Sequence, residues 1–112
     1  MQKDTKEKNI EDSSLPIEIA LGLIGGKWKV LIMWLLRDSI SRFSELKRSI
    51  PIITQKMLTA QLRELESDGL VFRKVYAQVP PKVEYSLTDL GKSFLPIVKA
   101  MNKWGESFTN KN

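Results

Sequence analysis

Neither cysteine nor histidine occurs in the 112 residues. Their absence excludes disulfides, thiol redox sensing, zinc held by sulfur or imidazole, and every nucleophile–histidine arrangement. Carboxylate-only metal sites stay open, but no clustered Asp/Glu pattern supports one. Long apolar runs are lacking too. The stretch from Ile17 to Leu36 is broken by Glu18, Gly22, Gly25, Gly26, Lys27 and Lys29, so no membrane span is expected. The start of the chain, Met1 to Asp12, is polar and charged and does not read as a signal peptide, which makes the cytoplasm the expected location. Gly-rich phosphate loops are missing as well. With only Ser–Lys or carboxylate chemistry left, neither an enzyme nor a cofactor is expected.

What the chain does have is positive charge. The net charge is +5, yet residues 1–12 hold three lysines against four acids, so the rest is more basic than the whole. A basic surface favours an anionic partner, whether nucleic acid, acidic protein or membrane headgroups; the plain alternative is a generally basic soluble protein. The length and an apolar content of 42% fit one domain with a modest core, near the size where a partner subunit helps. Residues 1–14 read as a mobile polar tail and residues 15–112 as the domain.

Along that domain, Pro16 suits a first helical residue, and a short helix is expected from Ile17 to Ile24 with apolar residues on more than one face. After the Gly25-Gly26 break, a second helix from Lys27 to Arg37 has almost no polar face and must be central. Ser39 to Arg42 reads as a connector or edge strand. A brief helix from Phe43 to Ile50 follows and is ended by Pro51. Thr54 then caps the most informative helix, in which Leu58, Leu62 and Leu65 recur at i, i+4, i+7. At roughly 100° per residue, Lys56, Thr59, Ala60 and Arg63 fall on its opposite side, and Gly69 stops it. Two short helices joined by a tight turn, the second with a cationic face, match a helix-turn-helix.

Two alternating strands come next, Leu70 to Tyr76 and Lys82 to Leu87, joined by the Pro-stiffened loop Ala77-Gln78-Val79-Pro80-Pro81. This is a two-strand ribbon with a protruding tip, a wing. Thr88 caps a final helix, kinked early by Pro96. Its residues Leu90, Phe94, Ile97, Met101, Trp104 and Phe108 have the spacing of a helix packed lengthwise against another. That seam is longer than the domain needs for its own closure, and a monomer would expose it together with the first helix. The fold class predicted is mainly α with a small β-ribbon, a winged helix-turn-helix dimerised through its terminal helices.

Five segments taken in order carry a resemblance. They are Ile24-Gly25-Gly26-Lys27-Trp28-Lys29, Arg42-Phe43-Ser44-Glu45-Leu46, Thr54-Gln55-Lys56-Met57-Leu58-Thr59, Leu62-Arg63-Glu64-Leu65-Glu66, and Val79 through Thr88. Together they resemble the HxlR-type winged helix-turn-helix transcription regulators, over Leu15 to Phe108. The resemblance implies a homodimer, joined through its terminal helices (Ile17 to Ile24 and Leu90 to Phe108), that binds operator DNA and represses or activates transcription; of the two signs, repression is the one expected. It assigns Thr54, Gln55, Lys56, Thr59 and Arg63 to the DNA-reading helix and Ala77 to Lys82 to the wing. Many relatives carry a cysteine just before the proline that opens the first helix. Here that position is Leu15, so sensing through a thiol is excluded.

On this reading double-stranded DNA is the partner. Lys56 and Arg63 can reach guanine or phosphate, and Gln55 can pair with adenine. Ser44, Lys47 and Arg48 on the preceding helix can anchor the backbone, while Lys74 and Lys82 can touch the adjacent minor groove or its phosphates. Two-fold pairing makes the operator an inverted repeat. A winged helix serving only protein interaction is the alternative, although the cations at Lys56 and Arg63 argue against it. A small-molecule effector could sit where Trp28, Trp34, Phe94 and Trp104 come together; the competing reading makes all four core or dimer packing.

Overall fold

Pro16 opens the first helix at a position where its missing N–H costs nothing. The structure, a computed structural model, describes residues 15–110, and the tail expected over residues 1–14 lies outside them. Helix α1 (Pro16–Ile24) buries none of its residues, leaving Ile17, Ile19 and Leu21 exposed. Gly25 ends it where a Cβ would run into the Leu21 carbonyl oxygen, and Gly26 follows at φ +88°, in the left-handed region that glycine tolerates.

The remaining described elements run in order through α2 (Trp28–Leu35), β1 (Ser41–Arg42), α3 (Phe43–Ser49), α4 (Gln55–Ser67), β2 (Val71–Tyr76), β3 (Lys82–Leu87), α5 (Asp89–Ser93) and α6 (Leu95–Asn110). Helix α2 is central, as its composition predicts, with Ile32 and Met33 fully buried. Its faces are not what composition predicts. Leu31 is exposed, while Lys29 is buried and its Nζ lies 2.6 Å from Glu64 Oε1 on α4. The carboxylate 35 positions along the chain supplies what a buried ammonium requires.

Helix α4 packs by Leu58, Leu62 and Leu65, all buried. It ends in a Schellman turn: the Leu70 N–H donates to Leu65 O at 2.9 Å and the Gly69 N–H to Glu66 O at 3.0 Å, with Gly69 at φ +78°. Leu70 thereby enters the core and directs the chain into β2. The Thr88 hydroxyl donates to Gly69 O at 2.6 Å and accepts from the Gly91 N–H at 3.0 Å, tying the end of α4 to the start of α5.

The sheet has three strands, antiparallel throughout, in the order β1-β3-β2, so of the two readings of Ser39 to Arg42, connector or edge strand, the edge strand holds. Ser41–Arg42 adds to the free edge of β3, pairing Ser41 with Tyr85 and Arg42 with Glu84. So short a strand has no periodicity of its own; the edge it joins defines it. The single kinked terminal helix needs correction, because it is two helices, with the break at Phe94. Pro96 removes one N–H and its ring excludes the carbonyl four residues back. The helix therefore restarts, and Phe94 O accepts from the N–H groups of Ile97 and Val98. Leu95 and Val98 face the core, which leaves Ile97, Met101, Trp104 and Phe108 exposed on the other side.

Candidate nucleic-acid interface

The turn between α3 and α4 is set by one buried side chain. Ile53 is 2% exposed, and its N–H donates to Ile50 O at 3.1 Å. Thr54 follows in extended backbone, and its hydroxyl oxygen accepts from the Met57 N–H at 3.0 Å, capping α4. The Thr54 oxygen is thus committed to the helix, and only its proton remains to donate elsewhere.

With the leucines buried, α4 turns Gln55, Lys56, Thr59, Ala60 and Arg63 to solvent, where they line one shallow hollow. No ion pair engages Lys56 or Arg63 among the described residues. A solvated charged face commonly pairs with acids from neighbouring turns, and this one does not. On α3, Leu46 points inward; Ser44 and Arg48 are exposed and Lys47 is half-buried, at spacings that put the three on one face.

The wing lysines have different surroundings. In register, Lys74 lies opposite Glu84 and Tyr76 opposite Lys82, all on one face of the sheet. The Tyr76 hydroxyl donates to Glu84 Oε1 at 2.7 Å, and Lys82 Nζ lies 3.5 Å from Glu84 Oε2. Both ammonium groups sit over the Tyr76 ring, Lys82 at 4.6 Å and Lys74 at 4.9 Å from its centroid. The Tyr76 hydrogen bond holds the Glu84 carboxyl below its ordinary value against a partial loss of solvent, with Lys82 and then Arg42 adding to the effect. Lys74 and Lys82 are brought together, but on the sheet face opposite α4. At the tip Val79 is 99% exposed.

Sequence reasoning missed Arg73. It stands opposite Tyr85 on the face turned toward α4, and with Thr59, Leu62, Arg63 and Glu66 they line a cleft of about 280 Å3. Four of the six β2 residues are exposed, so its alternation gives no contrast between faces. Only the register with β3 shows which way Arg73 points. Of the two readings of Trp28, Trp34, Phe94 and Trp104, an effector pocket or core and dimer packing, Trp28 and Phe94 follow the second and pack against the core. Trp34 lies under the Arg37 guanidinium at 3.7 Å, Trp28 under Lys27 at 4.7 Å, and Trp104 stacks on Phe108 with centroids 5.5 Å apart. Phe94 also borders an apolar hollow of about 120 Å3 between α1 and α5, beside Leu23, Ile24 and Leu90. Each tryptophan has a neighbour close in sequence, and that local pairing wins over a shared cavity.

A helix-turn-helix with an unpaired cationic outer strip, backed by a three-stranded sheet ending in a wing, defines the class of winged helix-turn-helix proteins. Residues 23–112 match the HxlR-like helix-turn-helix family, and the chain belongs to it. It is 53% identical over 105 residues to the HTH-type transcriptional regulator YybR of Bacillus subtilis, covering 92% of this chain and 84% of that one. Among solved structures, the redox regulator HypR in its oxidized form shares 57% identity at a TM-score of 0.81, over 83% of this chain and 96% of that one. The HTH-type transcriptional regulator ytcD shares 52% at a TM-score of 0.82, over 86% and 98%. Members and relatives are transcriptional regulators rather than enzymes. Among the described residues no helix is long and apolar enough to cross a membrane.

Proposed function

We propose that this protein is a sequence-specific DNA-binding repressor that binds an inverted-repeat operator as a homodimer. The observation that carries the reading is the outer strip of α4: Gln55, Lys56, Thr59 and Arg63 stand free on a helix that Leu58, Leu62 and Leu65 fix from behind. Phosphate contacts from Ser44, Lys47, Arg48, Arg63, Lys74 and Lys82 would position the duplex, and Gln55, Lys56 and Thr59 would read base edges in the major groove. Thr54 at the entry of the helix completes the contact surface.

The exposed rows Ile17, Ile19, Leu21 on α1 and Ile97, Met101, Trp104, Phe108 on α6 support pairing with a second copy. Two-fold pairing would set two reading helices about 34 Å apart, on successive major grooves. Repression is the sign assigned, because a dimer seated in a promoter excludes polymerase by occupancy alone. Such a protein works where promoter DNA is, in the cytoplasm. For a small-molecule effector, the hollow beside Phe94 offers an apolar place the size of a single ring.

Fluorescence anisotropy with the protein's own upstream promoter fragment tests the reading. Binding should saturate with a Kd on the order of 10 nM, at least about a thousandfold tighter than to a scrambled fragment. Equal affinity for both fragments would contradict sequence-specific binding and favour an interaction module.

A further inference from the structure

We propose that Arg73 is a DNA-backbone contact, and that the cleft between α4 and the sheet seats one phosphate of the duplex between Arg63 and Arg73. The inference rests on the DNA-binding reading and adds to it a residue and a place. Arg63 stands on the helical wall of the cleft and Arg73 on the strand wall. Both are exposed, and neither has an ion-pair partner among the described residues, although the Glu66 carboxylate borders the same cleft. Two guanidinium groups facing one solvent-open space repel each other until an anion lies between them. Their planar forks match phosphate oxygens, and the Thr59 hydroxyl lies on the same wall as Arg63.

Position selects the source of that phosphate. Thr59 and Arg63 line both this cleft and the shallow hollow of the outer strip, so the two surfaces are continuous. A duplex held against Lys56 and Gln55 would carry its backbone along that edge. Glu66 works against a freely diffusing anion, whereas a phosphate delivered by a duplex is held by the contacts around it. Arg73 belongs to the sheet face opposite Lys74 and Lys82, so the proposed contact is separate from theirs.

The test is a salt series of anisotropy titrations on a fluorescein-labelled duplex of random sequence. Wild type is compared with Arg73→Ala, Arg73→Gln and Lys103→Ala, each first checked for an unchanged melting temperature. Arg73→Gln keeps most of the side-chain stem, so charge loss is tested even if the alanine variant melts early. Both Arg73 variants should bind more weakly and flatten the log Kd against log salt slope by about 0.9, the loss of one phosphate contact. Lys103→Ala removes the same charge from α6, outside the cleft, and should keep the wild-type slope. Wild-type slopes for both Arg73 variants, or equal flattening by Lys103→Ala, would overturn the phosphate cleft while leaving DNA binding intact. A wild type that binds no duplex even at low salt would instead remove the DNA-binding reading, and this contact with it.

Discussion

Lys56 and Arg63 differ from Lys74 and Lys82 in what surrounds them, and that difference separates residues that stand free for a partner from residues already committed. The wing lysines share the Tyr76 ring, and Lys82 also pairs with Glu84. Any phosphate they meet must compete with that carboxylate, so their contribution is to affinity more than to selectivity. Glu84 itself carries a prediction. Its folded pKa is depressed, chiefly by the Tyr76 hydroxyl. A depressed carboxylate stabilises the fold at pH above its unfolded value, and that contribution is lost as pH falls through its folded value. The Tyr76–Glu84 link should therefore persist at neutral pH and fail only below the usual carboxylate range. An NMR titration of the Glu84 carboxyl should show a low midpoint that rises in Tyr76→Phe. A midpoint unmoved by that substitution would mean the hydroxyl does not hold the wing.

Elements marked by their own residues were legible in the sequence. Leu58, Leu62 and Leu65 announce α4, Thr54 and Gly69 mark its ends, and Val83, Tyr85 and Leu87 give β3 its face. Features that depend on a distant partner were not. Lys29 looks like a polar interruption of α2 until Glu64 is brought beside it; the choice between connector and edge strand at Ser41–Arg42 needs the edge of β3; the facing of Arg73 needs the register with Tyr85. Pro96 signalled a disturbance, but the break falls at Phe94, because the effect of the ring is felt upstream. The Lys29–Glu64 pair fastens α4 to the central helix, and its two ends are unequal, with side chains 10% and 57% exposed. Removing the exposed acid should therefore cost more than removing the buried base. Glu64→Ala strands a buried ammonium and should destabilise by about 1–3 kcal/mol. Lys29→Met fills the same space without charge and should stay within about 1 kcal/mol of wild type. Urea denaturation checks both, and a Glu64→Ala variant as stable as wild type would show that Lys29 does not depend on its partner.

Taken whole, the molecule is finished on one side and unfinished on the other. Its core closes around α2, α4 and the sheet, while α1 only half-buries Leu23 and Ile24 and α6 buries only Leu95 and Val98. A second copy is the occupant the proposed function requires. Met101→Glu combined with Trp104→Glu should give a monomer at micromolar concentration by sedimentation equilibrium and reduce operator affinity to the non-specific level, about a thousandfold. A dimeric double variant would move the interface elsewhere. The structural relative HypR is a redox regulator, but this chain has no cysteine, so a signal it answers cannot act through a thiol of its own. The account stands or falls on the outer strip of α4. Operator titrations at moderate salt with wild type, Lys56→Ala and Arg63→Ala test it most directly, because neither change touches the buried leucines. Loss of a base-reading contact at Lys56 should cost about 1–3 kcal/mol and relax preference at one base pair per half-site, whereas loss of a phosphate contact at Arg63 should weaken binding to all sequences alike. Two alanine variants that bind the operator as tightly and as selectively as wild type would contradict it.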